Sequence, residues 1–206
     1  MDELLVPLFP LQVVLFPRTN LALHIFEERY KEMIGECLEK QTEFGVVLAQ
    51  ENSMENIGCT ARITEVVKKY DDGRMDILVQ GGRRFEIMFL DRNKAYLRGA
   101  PQFFEEEAEA VPPEDARRKQ AMEVYGEVVK LLEADVEEPP DARDSQLSYQ
   151  IMARLPADLN FKQTMLKSRS ENERLTEVIT FLRKASLRLA VTLRTREKAG
   201  GNGKRH

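Results

Sequence analysis

Residues 58–79 contain Gly58-Cys59-Thr60-Ala61-Arg62-Ile63-Thr64-Glu65-Val66, then Tyr70-Asp71-Asp72-Gly73-Arg74, then Met75-Asp76-Ile77-Leu78-Val79. Two stretches with strand patterning flank an Asp-Gly pair, and the glycine can take the positive φ that a tight hairpin turn needs. This predicts two antiparallel strands. Gly81-Gly82 marks a reversal or a bulge before a further strand, Arg84-Phe85-Glu86-Ile87-Met88-Phe89. Tyr96–Ala100 predicts one more. On the N-terminal side, Phe44–Ala49 reads as a buried strand, and Leu21, Leu23 and Ile25 alternate onto one face of another. Val6–Leu11 is extended because Pro7 and Pro10 fix φ and bias the residues before them, and Val13–Phe16 continues that segment up to Pro17. A short helix interrupts the strands, with Tyr30, Met33, Ile34, Cys37 and Leu38 forming one apolar stripe. Six or more short strands with tight turns suit a closed or nearly closed barrel.

Beyond residue 101 the texture changes. Phe103-Phe104 runs into Glu105-Glu106-Glu107-Ala108-Glu109 and then Pro112-Pro113, an acidic connection. Ala121, Met122, Tyr125, Val128, Val129 and Leu132 predict a helix face, which Pro139-Pro140 within residues 135–144 must follow with a break. Leu147, Ile151 and Leu155 support a second helix, stopped at Pro156. Asp158 caps a third, carrying Phe161, Met165 and Leu166. Ser170 and Glu173 have capping-box spacing ahead of the longest helix, striped by Leu175, Val178, Ile179, Leu182, Ser186, Leu189 and Leu193. The expected architecture is α+β: a β-barrel subdomain over 1–110, a helical subdomain over 111–198 and a disordered tail over 199–206.

Composition narrows the function classes. The 206 residues carry 31 Lys+Arg against 35 Asp+Glu, net −4, which argues against a general polyanion binder. The charge is uneven: residues 1–110 hold 13 basic and 20 acidic side chains, and residues 162–206 hold 12 and 4. No uninterrupted apolar run exceeds four residues, too short for a membrane span or a signal peptide. Two cysteines and two histidines leave almost nothing for a metal site or a disulfide scaffold. A cytoplasmic location is expected.

Few residues fall in patterns that carry chemistry. The only Gly-Lys, Gly203-Lys204, has Lys198 where a phosphate-cradling loop needs glycine and Arg205 where it needs a hydroxyl. No Gly-x-Ser-x-Gly or Ser-x-x-Lys occurs. Cys37 and Cys59 fall within apolar patterns and read as core. His24 reads as a surface or hydrogen-bonded side chain. No catalytic residue, cofactor or metal is expected.

The opening Pro7-Leu8-Phe9-Pro10-Leu11, Val14, Phe16-Pro17, Leu23, Ile25-Phe26-Glu27 and Arg29-Tyr30 resembles the N-terminal, substrate-binding domain of the Lon protease family. The likeness continues through Gly45-Val46, Gly58-Cys59, Ala61-Arg62-Ile63, Asp72-Gly73-Arg74, Gly81 and Arg84-Phe85. In the helical half it rests on Leu155-Pro156, Lys162-Gln163, Leu166 and Arg174-Leu175, covering roughly residues 4–193. The resemblance implies a PUA-like pseudo-barrel followed by a four-helix bundle, and a role in recognising polypeptides. Lon proteins also carry an ATPase module and a Ser-Lys protease module, whose motifs these residues lack. A standalone, non-enzymatic protein-binding module is therefore expected, an adaptor in protein quality control. Its partners would be unfolded or flexible polypeptides; the alternative is RNA binding by the PUA-like barrel.

Pro7, Pro10 and Pro17 are expected to stiffen the entry strand, Phe9, Phe16 and Phe26 to fill the barrel or its junction with the first helix, and Gly45, Gly73 and Gly81 to permit turns or close approach. For partner binding the candidates are Phe103 and Phe104, partly exposed beside the acidic connection, with Arg83 and Arg84 as a basic pair. A groove between barrel and bundle is the expected setting.

Overall fold

A computed structural model of the chain describes residues 5–51, 53–104, 114–133 and 138–201. Six strands and five helices follow in the order β1 (Val6–Leu11), β2 (Asn20–Ile25), α1 (Glu28–Lys40), β3 (Phe44–Gln50), β4 (Ser53–Lys69), β5 (Met75–Asp91), β6 (Arg98–Phe103), α2 (Asp115–Leu132), α3 (Leu147–Ala153), α4 (Leu159–Lys167) and α5 (Glu171–Gly201). The chain forms two compact units, one of residues 1–107 with 153–167, the other of residues 108–152 with 168–206.

In the first unit β5 pairs with β4, β4 with β3, β3 with β1, β1 with β6, and β6 with β5, which closes a ring of five strands. β2 lies outside the ring, paired antiparallel with the first part of β5. The β1–β3 pairing is parallel and the others are antiparallel. At the hairpin, Gly73 takes φ +81°, its N–H donates to the Tyr70 carbonyl, and Tyr70 N–H donates to the Arg74 carbonyl. The Asp-Gly expectation is met. Gly81-Gly82 makes a bulge, not a reversal: β5 runs through it, and its register with β4 shifts between Cys59–Arg84 and Ala61–Gly81. One 17-residue strand therefore replaces two short ones.

The ring's interior is filled by Leu8, Val47 and Phe85, with Ile87, Leu97 and Phe103 packed against them. α1 buries Tyr30, Met33, Ile34 and Cys37, the stripe expected from its spacing. Both cysteines are buried, and desolvation pushes both thiols up. Three expectations for this unit need correction. Val13–Phe16 is not strand; after β1 the chain turns, although Val14, Leu15 and Phe16 remain buried. Phe26 is 59% exposed, unlike Phe9 and Phe16. Alternation through Ile25 aims Ile25 inward and Phe26 outward, where its ring stacks on that of His24.

α4 also departs from its expected place. It belongs to the β-containing unit, not with the other helices. Polar contacts hold it there: Gln163 donates to the Ile57 carbonyl, Gln50 to Asn160, and Lys167 Nζ lies 2.7 Å from Glu55. Asp158 caps it as expected, accepting from Asn160 and Phe161 N–H. Among the described residues the helical unit holds α2, α3 and α5, where a four-helix bundle is expected.

In that unit α2 buries Ala121, Val124, Tyr125 and Val128, while Leu132 is exposed. α5 begins with Ser170 accepting from Glu173 N–H. Its stripe is buried at Leu175, Val178, Ile179 and Leu182, but Leu193 is exposed. The helix runs to Gly201, so residues 199–201 of the expected tail are helical. Residues 202–206, like the acidic connection at 105–113 and residues 135–137 of the helix break, lie outside the described residues.

Candidate functional site

The four candidate residues come together on neighbouring strands. Phe85 on β5 registers with Phe103 on β6, so Arg83 and Arg84 approach Phe103 and Phe104. The Arg83 guanidinium lies 3.6 Å from the centre of the Phe103 ring, and Arg84 lies 5.0 Å from that of Phe104. A cation held against a ring face gains from the ring's quadrupole. The two arginines nonetheless do different work. Arg84 is buried and donates from Nη1 to the Leu166 carbonyl at 2.9 Å, tying α4 to the sheet. Arg83 is exposed, with its backbone N–H donated to Thr60 Oγ1. Phe103 is half-buried, one side against the core cluster and the other under Arg83.

Arg83 and Phe103 form part of the wall of a pocket of about 600 Å³. The start of β1 (Val6, Pro7) and the last turns of α1 complete it. Lys40, Arg83, Lys94 and Arg98 line it against two carboxylates, Glu36 and Glu43. Arg98 is committed to Asp91 at 2.8 Å. Lys94 Nζ donates to Glu36 and to the Tyr96 hydroxyl, and Lys40 also reaches Glu36. Lys94 above all, then Lys40 and Tyr96, hold the Glu36 carboxyl down at about 2, against its partial burial. The pocket thus offers an apolar floor with a positively biased rim. Sequence reasoning found Arg83 and Phe103 but missed Lys40, Lys94 and Arg98, because nothing in their spacing shows that α1, the segment before β6 and the β5–β6 ladder meet.

The Glu36–Lys94 pairing makes a first prediction. A carboxylate whose folded value is depressed stabilises the fold fully above the unfolded value, near 4.5, and loses that contribution as pH falls towards 2. Glu36→Gln is expected to cost about 1 kcal/mol at neutral pH, since the pair is partly exposed. Denaturation series at pH 7, 4 and 2.5 check it. The gap between variant and parent should shrink steadily on acidification.

The model of the ATP-dependent protease La (LON) substrate-binding domain matches residues 5–184. The chain belongs to that family. Relatives include the Lon proteases of Bacillus thuringiensis (strain Al Hakam), 24% identical over 88% of this chain, and of Parabacteroides distasonis, 27% identical over 91%. The chain spans about a quarter of the length of these relatives, 24% and 23%. Among solved structures, a Lon N-terminal domain protein from Xanthomonas campestris is similar with a TM-score of 0.66 and 22% identity, covering 85% of this chain and 97% of that one. The N-terminal domain of a Mycobacterium avium complex Lon protease gives 0.62 and 15% identity, over 86% and 97%. These structures share the mixed α+β fold of the LON substrate-binding domain.

Proposed function

We propose that the chain is a non-catalytic polypeptide-recognition module, a cytoplasmic adaptor in protein quality control, and that the Arg83–Phe103 pocket contributes to its binding surface. The carrying observation is membership of a substrate-binding family together with a pocket whose apolar floor is rimmed by Lys40, Arg83 and Lys94. Such a surface suits a flexible segment with apolar side chains and a carboxylate, because both the apolar area and the charge find complements. The closed five-strand ring supports reading the β unit as PUA-like. The RNA-binding alternative gains no support from the relatives. Among the described residues no helix is long and apolar enough to cross a membrane.

The test is binding of a permanently unfolded polypeptide, reduced and carboxymethylated α-lactalbumin, to the purified chain. Arg83 is exposed, so Arg83→Glu should leave the fold intact. It is expected to weaken binding about tenfold, the loss of one favourable charge contact and its replacement by a repulsive one. Phe103→Ala/Phe104→Ala should weaken it in the same direction, with some loss of stability because Phe103 also packs on the core. Unchanged affinity in both variants removes the pocket. Tight RNA binding that collapses with added salt would favour the alternative, since neutralised phosphates release counterions.

A further inference from the structure

We infer that the outer edge of β2 binds an extended, uncharged stretch of polypeptide as an added antiparallel or parallel strand. The inference rests on the polypeptide-recognition reading above, but not on the Arg83 pocket.

Backbone parity identifies the groups on offer. Gly81 N–H donates to the Thr19 carbonyl and Arg18 N–H donates to the Gly81 carbonyl, so Gly81 turns both of its backbone groups towards the chain leading into β2. At the other end, Tyr70 N–H donates to the Arg74 carbonyl, so Arg74 faces β4 and the next residue, Met75, faces β2. Both ends give the same alternation: Met75, Ile77 and Val79 face β2. Their register partners Ile25, Leu23 and Leu21 therefore use their backbone groups within the sheet. Asn20, Ala22 and His24 aim theirs outward. Among the described residues no other strand pairs with β2, and Asn20, Ala22 and His24 are all exposed.

An open edge of this kind is a template for strand addition, and proteins ordinarily guard it with charges, prolines or bulges. Within one three-stranded arm, β2–β5–β4, the two edges differ. The far side of β4 beyond Ala61 carries register shifts between Ile63 and Glu65 and between Val66 and Lys68, together with Glu65, Lys68 and Lys69. β2 (Asn-Leu-Ala-Leu-His-Ile) holds no proline, lysine, arginine or carboxylate, and its ladder with β5 is regular. Its histidine is paired with Asp76 at 2.6 Å. Beside the edge stand the half-buried Leu21 and Leu23 and the exposed Phe26. An added strand with apolar residues at alternate positions would cover Leu21 and Leu23, and a charged one would meet no opposite charge along β2.

A second copy of this chain is the poorer occupant. Six residues extend about 20 Å, and with a sheet thickness of about 10 Å the edge contributes only a few hundred Å² per partner-pair. That is well short of the roughly 1,200 Å² of a stable dimer. A flexible segment needs less, because it can bind the edge and continue elsewhere.

The experiment combines Ala22→Pro with amide hydrogen exchange, again using reduced, carboxymethylated α-lactalbumin. Proline is tolerated on an edge strand where its missing N–H would have faced solvent, so the variant should fold. It removes one outward donor and is expected to weaken binding about tenfold. In the unsubstituted chain, the Ala22 and His24 amides should gain protection on complex formation. Binding that persists unchanged in Ala22→Pro, with no new protection at Ala22 and His24, overturns the edge assignment and leaves polypeptide recognition standing. Absence of binding by the unsubstituted chain defeats the recognition reading, and the edge with it. Protection of the same amides that rises with protein concentration alone, together with dimers in sedimentation, overturns the assignment in favour of a second copy. Should Ala22→Pro fail to fold, the protection pattern of the unsubstituted chain decides.

Discussion

Arg174→Met is expected to destabilise the helical unit by about 3–5 kcal/mol, the usual consequence of leaving one member of a buried ion pair alone. Arg174 and Glu171 occupy one face of the first turn of α5, with side chains 0% and 1% exposed and 2.8 Å between Nη2 and Oε2. Glu171 also accepts from the Ser148 N–H and hydroxyl. Arg174 further donates to the Ser168 carbonyl and lies 4.2 Å from the centre of the Tyr149 ring. This cluster ties the start of α3 to the start of α5. Burial pushes the Glu171 carboxyl up, and Arg174 and the Ser148 bonds oppose that rise. Without the guanidinium the rise has less to oppose it, and the carboxyl takes up a proton in the folded state. The sign follows: a carboxyl with a raised folded value favours folding as pH falls, so the variant should regain part of its stability between neutral pH and the unfolded value near 4.5. Denaturant titrations monitored by helical ellipticity at pH 7.5 and 5 check this. Glu171→Gln/Arg174→Met should be less damaged than Arg174→Met at neutral pH. Equal stability of the single variant and the parent would refute the account.

Gly81→Ala is expected to cost about 3 kcal/mol, at the upper end for overpacking, because the obstacle is backbone. A Cβ there would stand 2.0 Å from the Phe16 carbonyl oxygen. That carbonyl cannot swing away cheaply. It accepts from Thr19 Oγ1 at 2.8 Å, while Gly81 itself accepts from Arg18 N–H and donates to Thr19. The loop before β2 and the bulge of β5 are laced together at this point, so relief must break ladder bonds on one side or the other. Thermal unfolding of the β unit reads the loss. The same variant should also loosen the register of β2, visible as faster amide exchange at Leu21 and Leu23. A neutral Gly81→Ala would show that the close approach is not obligatory.

The legibility of the chain followed the range of the forces involved. Tyr30, Met33, Ile34 and Cys37 announce their helix because a 3.6-residue period is local, and Asp72-Gly73 announces a hairpin because one backbone conformation demands glycine. For Phe26 residue type and pattern conflict: an aromatic ring suggests core, while the alternation of Leu21, Leu23 and Ile25 already puts position 26 on the opposite face, and the pattern prevails. Gly81-Gly82 was ambiguous for a related reason: a bulge and a reversal need the same residue type, and only the pairing partner separates them. By sequence α4 groups with the other helices, because its stripe of Met165 and Leu166 does not say what it packs on. Its companions are carbonyls and side chains of β3, β4 and β5, more than 80 residues away.

The candidate site divides in the same way. Arg83, Arg84, Phe103 and Phe104 stand out by composition, yet their sequence neighbours do not reveal that Arg84 is a buried tie to Leu166 while Arg83 faces a pocket with Lys40 and Lys94. The amino-acid sequence alone determined the α+β class, the hairpin and its glycine, the helix stripes and caps, and the family resemblance, all of which depend on short-range conformational preference and residue order. Tertiary structure alone decided which strand ends at an open edge, which arginine is solvated and which helix joins the sheet. Those outcomes depend on pairings between residues far apart in the chain, whose energies no local window contains.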